Sequence, residues 1–242
     1  MPIQAFPDPR LADDDGLLAI GGQMDIESLT LAYRNGIFPW PIEGLPLPWF
    51  SPPKRAILRL DGILIGRSLK RALKNASDLR FTLNRDFEQV IQNCAVMKRP
   101  GQKGTWITRA LKDAYVNAHR AGIAHSVEVW SLNPAAGAAS DEKSGNAELV
   151  GGIYGMEVDG AFSAESMFYK RPYASKLALW VLSDLLRAQG CPWIDIQMMT
   201  PHLEAMGAVE ISRDLFLDEL ARVQSRKLCF DWSARELARP KG

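Results

Sequence analysis

From Gly36 to Pro53 the chain reads GIFPWPIEGLPLPWFSPP, six prolines and four aromatics in eighteen residues. Proline donates no amide hydrogen bond and fixes φ, so this stretch can be neither a helix interior nor a central strand. It is too aromatic for a flexible linker. The expectation is an ordered loop that displays flat side chains, within an N-terminal region that runs to about residue 62.

The remaining sequence must supply the core, and 47% hydrophobic composition over 242 residues is enough for one large core or two modest ones. A charged fraction of 24% fits neither a disordered chain nor a membrane protein. No apolar run approaches the roughly 18 residues that cross a bilayer. The N-terminus, Met-Pro-Ile-Gln-Ala-Phe, does not read as a signal peptide, and a cytoplasmic location is expected. Cys94, Cys191 and Cys229 form neither a metal-ligand spacing nor a disulfide framework, and all three read as buried thiols. His119, His125 and His202 read as structural. With a net charge of +1, any nucleic-acid partner needs a local basic patch.

Apolar spacing predicts helices at Asp25–Asn35, Arg67–Lys74, Asp86–Met97, Thr108–Ala121 and Ala174–Gln189, and another from about Asp214. Strands are expected at Phe81–Leu83, His125–Trp130, Leu149–Val158, Ala161–Phe168, Trp193–Gln197 and Val209–Ile211. The small, polar Asn133–Glu148 segment reads as a surface loop. This order of elements is that of an α+β protein with a mixed sheet.

Three groups of residues suggest chemistry. In the strand Ile194-Asp195-Ile196-Gln197, residues two apart share a face, so Asp195 and Gln197 should project together. Glu165 is a carboxylate in an otherwise apolar strand. From Lys54 to Lys74 there are seven Lys or Arg and one acid, Asp61. Among them Arg67, Lys70, Arg71 and Lys74 fall on one helical face, as phosphate contacts would require. Each group also has an ordinary reading: a polar sheet pair, a salt bridge, a solvated helix face.

Eight strings in order resemble the leucyl/phenylalanyl-tRNA–protein transferase family: DGLLAIGG (15–22), GIFPW (36–40), GTWIT (104–108), HSVEVW (125–130), LVGGIYG (149–155), ESMF (165–168), ASKLAL (174–179) and IDIQ (194–197). The resemblance implies a small N-terminal domain, residues 1–62, joined to an acetyltransferase-like (GNAT-type) catalytic domain, residues 63–242. It further implies an enzyme without metal or organic cofactor; a monomer is expected. The implied reaction moves Leu or Phe, to a lesser extent Met, from aminoacyl-tRNA to proteins with an N-terminal Arg or Lys, marking them for N-end-rule degradation.

By the same resemblance, Asp195 holds the Gln197 amide so that its oxygen meets the incoming amine, and helps attract a cationic N-terminal residue. Glu165 orients the tRNA 3′ end or the amine. Trp40 and Trp106 clasp the terminal adenine. Ile153, Phe162, Met167, Leu179, Leu182 and Leu186 line the pocket for the transferred side chain, and Arg67, Lys70, Arg71 and Lys74 meet the tRNA backbone. The five residues Trp40, Trp106, Glu165, Asp195 and Gln197 are expected to line one cleft. The sequence departs from the family at Gln23, where Asp is usual, at Phe50 in place of a second Trp, and at Asn75, where a basic residue is frequent. Its hairpin loop is also longer.

Two alternatives are an acyl-coenzyme A-dependent N-acetyltransferase and a non-catalytic tRNA-binding module. The loop before the helix at Ala174 (Tyr169–Ser175) has no glycine, which argues against a pyrophosphate cradle. A binding module leaves the Asp195/Gln197 pair without a purpose.

Overall fold

The computed structural model describes residues 2–42, 44–97, 105–132 and 147–240. Gly104 of the GTWIT string and most of the expected surface loop, Asn133–Asn146, lie outside the described residues.

Helix starts follow from their capping side chains. Asp25, Asp86, Thr108 and Ser212 each accept an amide hydrogen bond at the head of α1 (Ile26–Arg34), α3 (Phe87–Val96), α4 (Arg109–Arg120) and α7 (Arg213–Ser225). The other helices are α2 (Arg67–Lys74), α5 (Ala174–Ala188) and the short α6 (Pro201–Glu204).

Two sheets organise the chain. The smaller has the order β1-β3-β2, with β1 at Leu17–Ile20, β2 at Phe38–Pro39 and β3 at Pro48–Phe50. The proline-dense segment therefore contributes a central strand, contrary to expectation. It can because Pro48 stands first in β3, where its carbonyl accepts from Trp40 N at 3.1 Å and no amide of its own is required.

The larger sheet is mixed, with order β10-β4-β9-β8-β7-β6-β5-β11. Its strands are β4 (Lys54–Arg59), β5 (Leu79–Leu83), β6 (Ala124–Ser131), β7 (Glu148–Val158), β8 (Ala161–Tyr169), β9 (Trp193–Gln197), β10 (Ala208–Ser212) and β11 (Arg235–Leu237). Neighbours are antiparallel except β8 and β9. β4 pairs with β9 and β10, so the passage from the small sheet to the large one falls between Phe50 and Lys54, not at residue 62. The class is α+β, as expected.

One face of the large sheet packs on α2 and α5, through Leu69, Leu73, Leu177, Leu182 and Leu186. The other face packs on α3 and α4, through Phe87, Val90, Leu111 and Tyr115, and on the small sheet and α1. Further along that second face, α7 covers Ile57 and Trp193. Glycines of the LVGGIYG string allow close approach: a Cβ on Gly151 would sit 2.5 Å from the Ala174 Cβ, and one on Gly155 only 2.2 Å from the Ser163 carbonyl oxygen. Cys94 and Cys191 are buried, but Cys229 is exposed, which corrects its expected burial.

Candidate active site

The parallel pair β8–β9 is short. Its ladder joins Phe162 to Ile194 and Ser163 to Asp195 and then stops. Beyond that point the strands are tied by side chains, Gln197 Nε2 donating to Glu165 Oε1 at 3.1 Å. Both residues owe their aim to irregularities. In β8, Ala164 and Ser166 pair with Gly155 and Tyr154, leaving Glu165 as the extra residue of a bulge. In β9, Asp195 and Gln197 pair with Ile57 and Ala56, leaving Ile196 as the extra residue. Bulges bend a strand and redirect a side chain without breaking the sheet. Gln197 has φ 54°, so it leaves the strand in the left-handed region.

This geometry differs from a regular strand with Asp195 supporting the Gln197 carboxamide. Asp195, 1% exposed, accepts the Gln197 backbone amide at 3.0 Å and the Ser163 hydroxyl at 2.9 Å. Its two oxygens also take Arg55 Nε at 2.8 Å and Nη2 at 2.7 Å. Asp195 is thus enclosed and neutralised, and a carboxylate so paired does not draw in a cationic residue. The carboxamide is held by Glu165 instead. Its Nε2 is committed there, while Oε1 takes no hydrogen bond from the described residues.

Glu165 is half-buried and also accepts from the Tyr115 hydroxyl at 3.1 Å, which in turn hydrogen-bonds the Tyr33 hydroxyl. Burial is the main cause that raises the Glu165 carboxyl to about 7; the hydrogen bond from Tyr33 opposes it, and the Asp195 charge adds to it. Burial, then the Glu165 charge, push both phenols well above their usual value, so both stay protonated donors.

Arg55 joins this network to the small sheet. Besides Asp195 it donates to the Gly36 carbonyl at 3.1 Å, and its guanidinium lies 4.8 Å from the Phe38 ring centre and 4.5 Å from that of Phe216. Phe38 meets Trp40 edge-on at 6.4 Å, and Trp40 stacks on Trp106 at 4.9 Å with an 11° tilt. The tryptophans are half-buried. Their rings touch each other, so no third flat ring lies between them.

Contacts run Trp106–Trp40–Phe38–Arg55–Asp195, with Glu165 and Gln197 beside Asp195, so two residues the sequence reading did not single out, Phe38 and Arg55, link the expected five. Of the expected side-chain pocket, Ile153, Phe162, Leu179, Leu182 and Leu186 are at most 3% exposed and belong to the core, while Met167 is half-buried. The seven basic residues do not make one patch. Arg55 is buried, Lys54 and Arg59 pair with Glu210 and Glu219, and only the α2 cations Arg67, Lys70, Arg71 and Lys74 stand exposed together. His125 is buried, and burial lowers it to about 3, so it remains neutral.

Sequence reasoning missed Arg55, Tyr33 and Tyr115. A buried arginine in a basic run resembles its exposed neighbours. The two tyrosines occupied apolar helix positions, and only their hydroxyl partners, from elsewhere in the chain, set them apart.

Comparisons with known proteins agree with this geometry in where they fall on the chain. A family model described as leucyl/phenylalanyl-tRNA protein transferase matches residues 57–221, and a model of that family's N-terminal domain matches residues 22–53. The break between them coincides with the change of sheets. A leucyl/phenylalanyl-tRNA–protein transferase of Oleidesulfovibrio alaskensis is 45% identical over 90% of this chain and 84% of its own length. One from Colwellia psychrerythraea is 44% identical over 94% and 90%, and one from an Anaeromyxobacter species is 45% identical over 90% and 87%. No described helix is long and apolar enough to cross a membrane.

Proposed function

The chain belongs to the leucyl/phenylalanyl-tRNA protein transferase family, and on that premise we propose that it moves Leu or Phe, and less readily Met, from tRNA to the N-terminal amine of proteins that begin with Arg or Lys. Proteins so extended become substrates for N-end-rule degradation in the cytoplasm.

An aminoacyl ester is already activated, so the enzyme's task is to hold ester and amine together. The amine nitrogen attacks the ester carbonyl carbon, the peptide bond forms, and the bond to the ribose 3′ oxygen breaks. The proton lost by nitrogen ends on that departing oxygen. An α-amine with a pKa of about 7.7–8.0 is partly neutral at pH 7, so it needs an acceptor more than a strong base. Gln197 Oε1 is that acceptor, because its Nε2 is already given to Glu165. Glu165, poised near 7, can hold the proton in transit, and Tyr115 supports its charged form. Asp195 and Arg55 position the Gln197 backbone. The adenine rests on the Trp40–Trp106 stack, and the α2 cations take phosphates of the stem.

The observation that carries this reading is the Glu165–Gln197 hydrogen bond across the end of the β8–β9 ladder. The test mixes radiolabelled Leu-tRNA with peptides beginning Arg, Lys, Asp or Ala. Label should move to the Arg and Lys peptides. Label that stays on tRNA with all four peptides refutes the proposal.

A further inference from the structure

A cleft of about 560 Å³ lies at the β5–β11 edge of the large sheet, lined by none of the residues assigned above. Arg80, Arg85 and Arg235 line it, with Thr82, Asn84 and a single acid, Glu236. Its cations are held in place without all being neutralised. Arg85 lies 4.8 Å over the Trp130 ring and is exposed; its backbone amide donates to the Glu128 carboxylate, while its guanidinium makes no ion pair or hydrogen bond with the described residues. Arg80 donates to the Ser77 and Leu79 carbonyls and comes within 3.7 Å of Glu236. Arg235 is braced by the Ser233 carbonyl at 2.8 Å and pairs with Asp231 at 3.1 Å.

We propose that this cleft is a second phosphate-binding site for the backbone of the donor tRNA, beyond the stem phosphates met by α2; the proposal rests on the transferase reading. Continuity is the first argument. Ser77, which anchors Arg80, also lines a neighbouring cleft of about 550 Å³ shared with Lys70, Leu73, Lys74 and Arg239. Arg239 donates to the Leu79 carbonyl, one residue from Arg80, and to the Leu73 carbonyl in the last turn of α2. Cations thus continue from the α2 face around the sheet edge into the arginine-lined cleft.

Chemistry is the second argument. A guanidinium seated over an aromatic ring through its carbon leaves N–H groups for an oxyanion, as a phosphate fork requires. Trp130 is 1% exposed and its Nε1 donates to Thr82, so no base can stack on it. The cleft therefore reads backbone and not sequence, as a site for a tRNA body must if more than one tRNA is accepted.

The test measures binding of full-length aminoacyl-tRNA across a salt series, with folding of each variant checked by circular dichroism. Arg85→Glu should weaken binding about tenfold at low salt and reduce the slope of log affinity against log salt by roughly one. Arg85→Lys should keep most of the affinity. Transfer from a donor cut down to an aminoacylated adenosine, which lacks the stem phosphates, should not change. Unaltered tRNA affinity and slope in both Arg85→Glu and the double variant Arg85→Ala/Arg235→Ala overturns the proposal. A rise in KM for the acceptor protein with tRNA affinity unchanged also overturns it, assigning the cleft to the acceptor. If the wild-type protein transfers from neither donor, the transferase reading fails, while tRNA binding still decides the cleft.

Discussion

Arg55 and Asp195, 140 residues apart in sequence, meet as a two-pronged ion pair with both side chains no more than 2% exposed. A buried charge left without its partner costs about 3–5 kcal/mol. Asp195→Asn should therefore lower the free energy of urea unfolding by about that amount, besides slowing transfer. A loss under about 1 kcal/mol would mean that water reaches Arg55 and that the pair does not anchor the site.

Glu165 should give transfer a second ionisation besides that of the acceptor amine. Burial raises its carboxyl to about 7, so the charged form that receives Gln197 and Tyr115 is lost as pH falls through that value. The acidic limb of the rate profile should contain a step near 7 as well as the amine's own step near 8. Glu165→Gln should remove the lower step and reduce kcat. A variant profile with both steps intact would assign the lower one elsewhere.

Glu128 should make folding less favourable as pH rises. It is fully buried, and desolvation lifts its carboxyl to about 7 despite hydrogen bonds from Ser126 and Thr82. A group whose folded pKa lies above its unfolded value stabilises fully below the unfolded value near 4.5, and that contribution is lost as pH rises through about 7. A shift of this size corresponds to about 3 kcal/mol. Between pH 4 and pH 8, wild-type protein should lose more unfolding free energy than Glu128→Gln, by that order. Parallel curves for the two proteins would count against it.

Trp106→Ala should raise KM for the aminoacyl-tRNA by about 5- to 150-fold, the equivalent of the ~1–3 kcal/mol that one base stack contributes. Trp106→Phe should keep much of that. Donor binding should also change the fluorescence of the Trp40–Trp106 stack. An unchanged KM in the alanine variant would remove the stack from donor binding.

Gly155→Ala should destabilise the fold by about 1–3 kcal/mol, because the added methyl meets the Ser163 carbonyl at 2.2 Å and the Phe162 ring at 2.6 Å. Backbone oxygen cannot swing aside, so β8 itself must shift, and Glu165 with it. Stability and transfer rate should fall together. An unchanged melting temperature would show that the strands tolerate the separation.

Much of this architecture was legible where a local rule governs it. Apolar spacing put the starts of α1, α3 and α4 within a residue, at the positions where Asp25, Asp86 and Thr108 cap them, and Trp193–Gln197 matched its expected strand at both ends. β4 escaped because its flanking Lys54, Arg55 and Arg59 suggested a solvated patch, while its core is only Ala56-Ile57-Leu58. Asp195 and Gln197 stood out in the sequence, yet which groups each side chain holds did not. A bulge at Ile196 and a left-handed Gln197 are properties of the folded pairing, and no periodicity in the strand announces them. The Tyr33–Tyr115–Glu165 chain likewise draws on α1, α4 and β8, whose proximity is tertiary.

The backbone of Gln197 bears on how such a site can change over time. With φ at 54°, it occupies a conformation that L-residues other than Asn and Asp adopt at a cost of about 1–2 kcal/mol. Selection for thermal endurance alone would drive this position toward Asn, whose shorter amide settles there more easily but falls short of Glu165. At this one position, the ease of the backbone and the reach of the side chain to Glu165 pull in opposite directions.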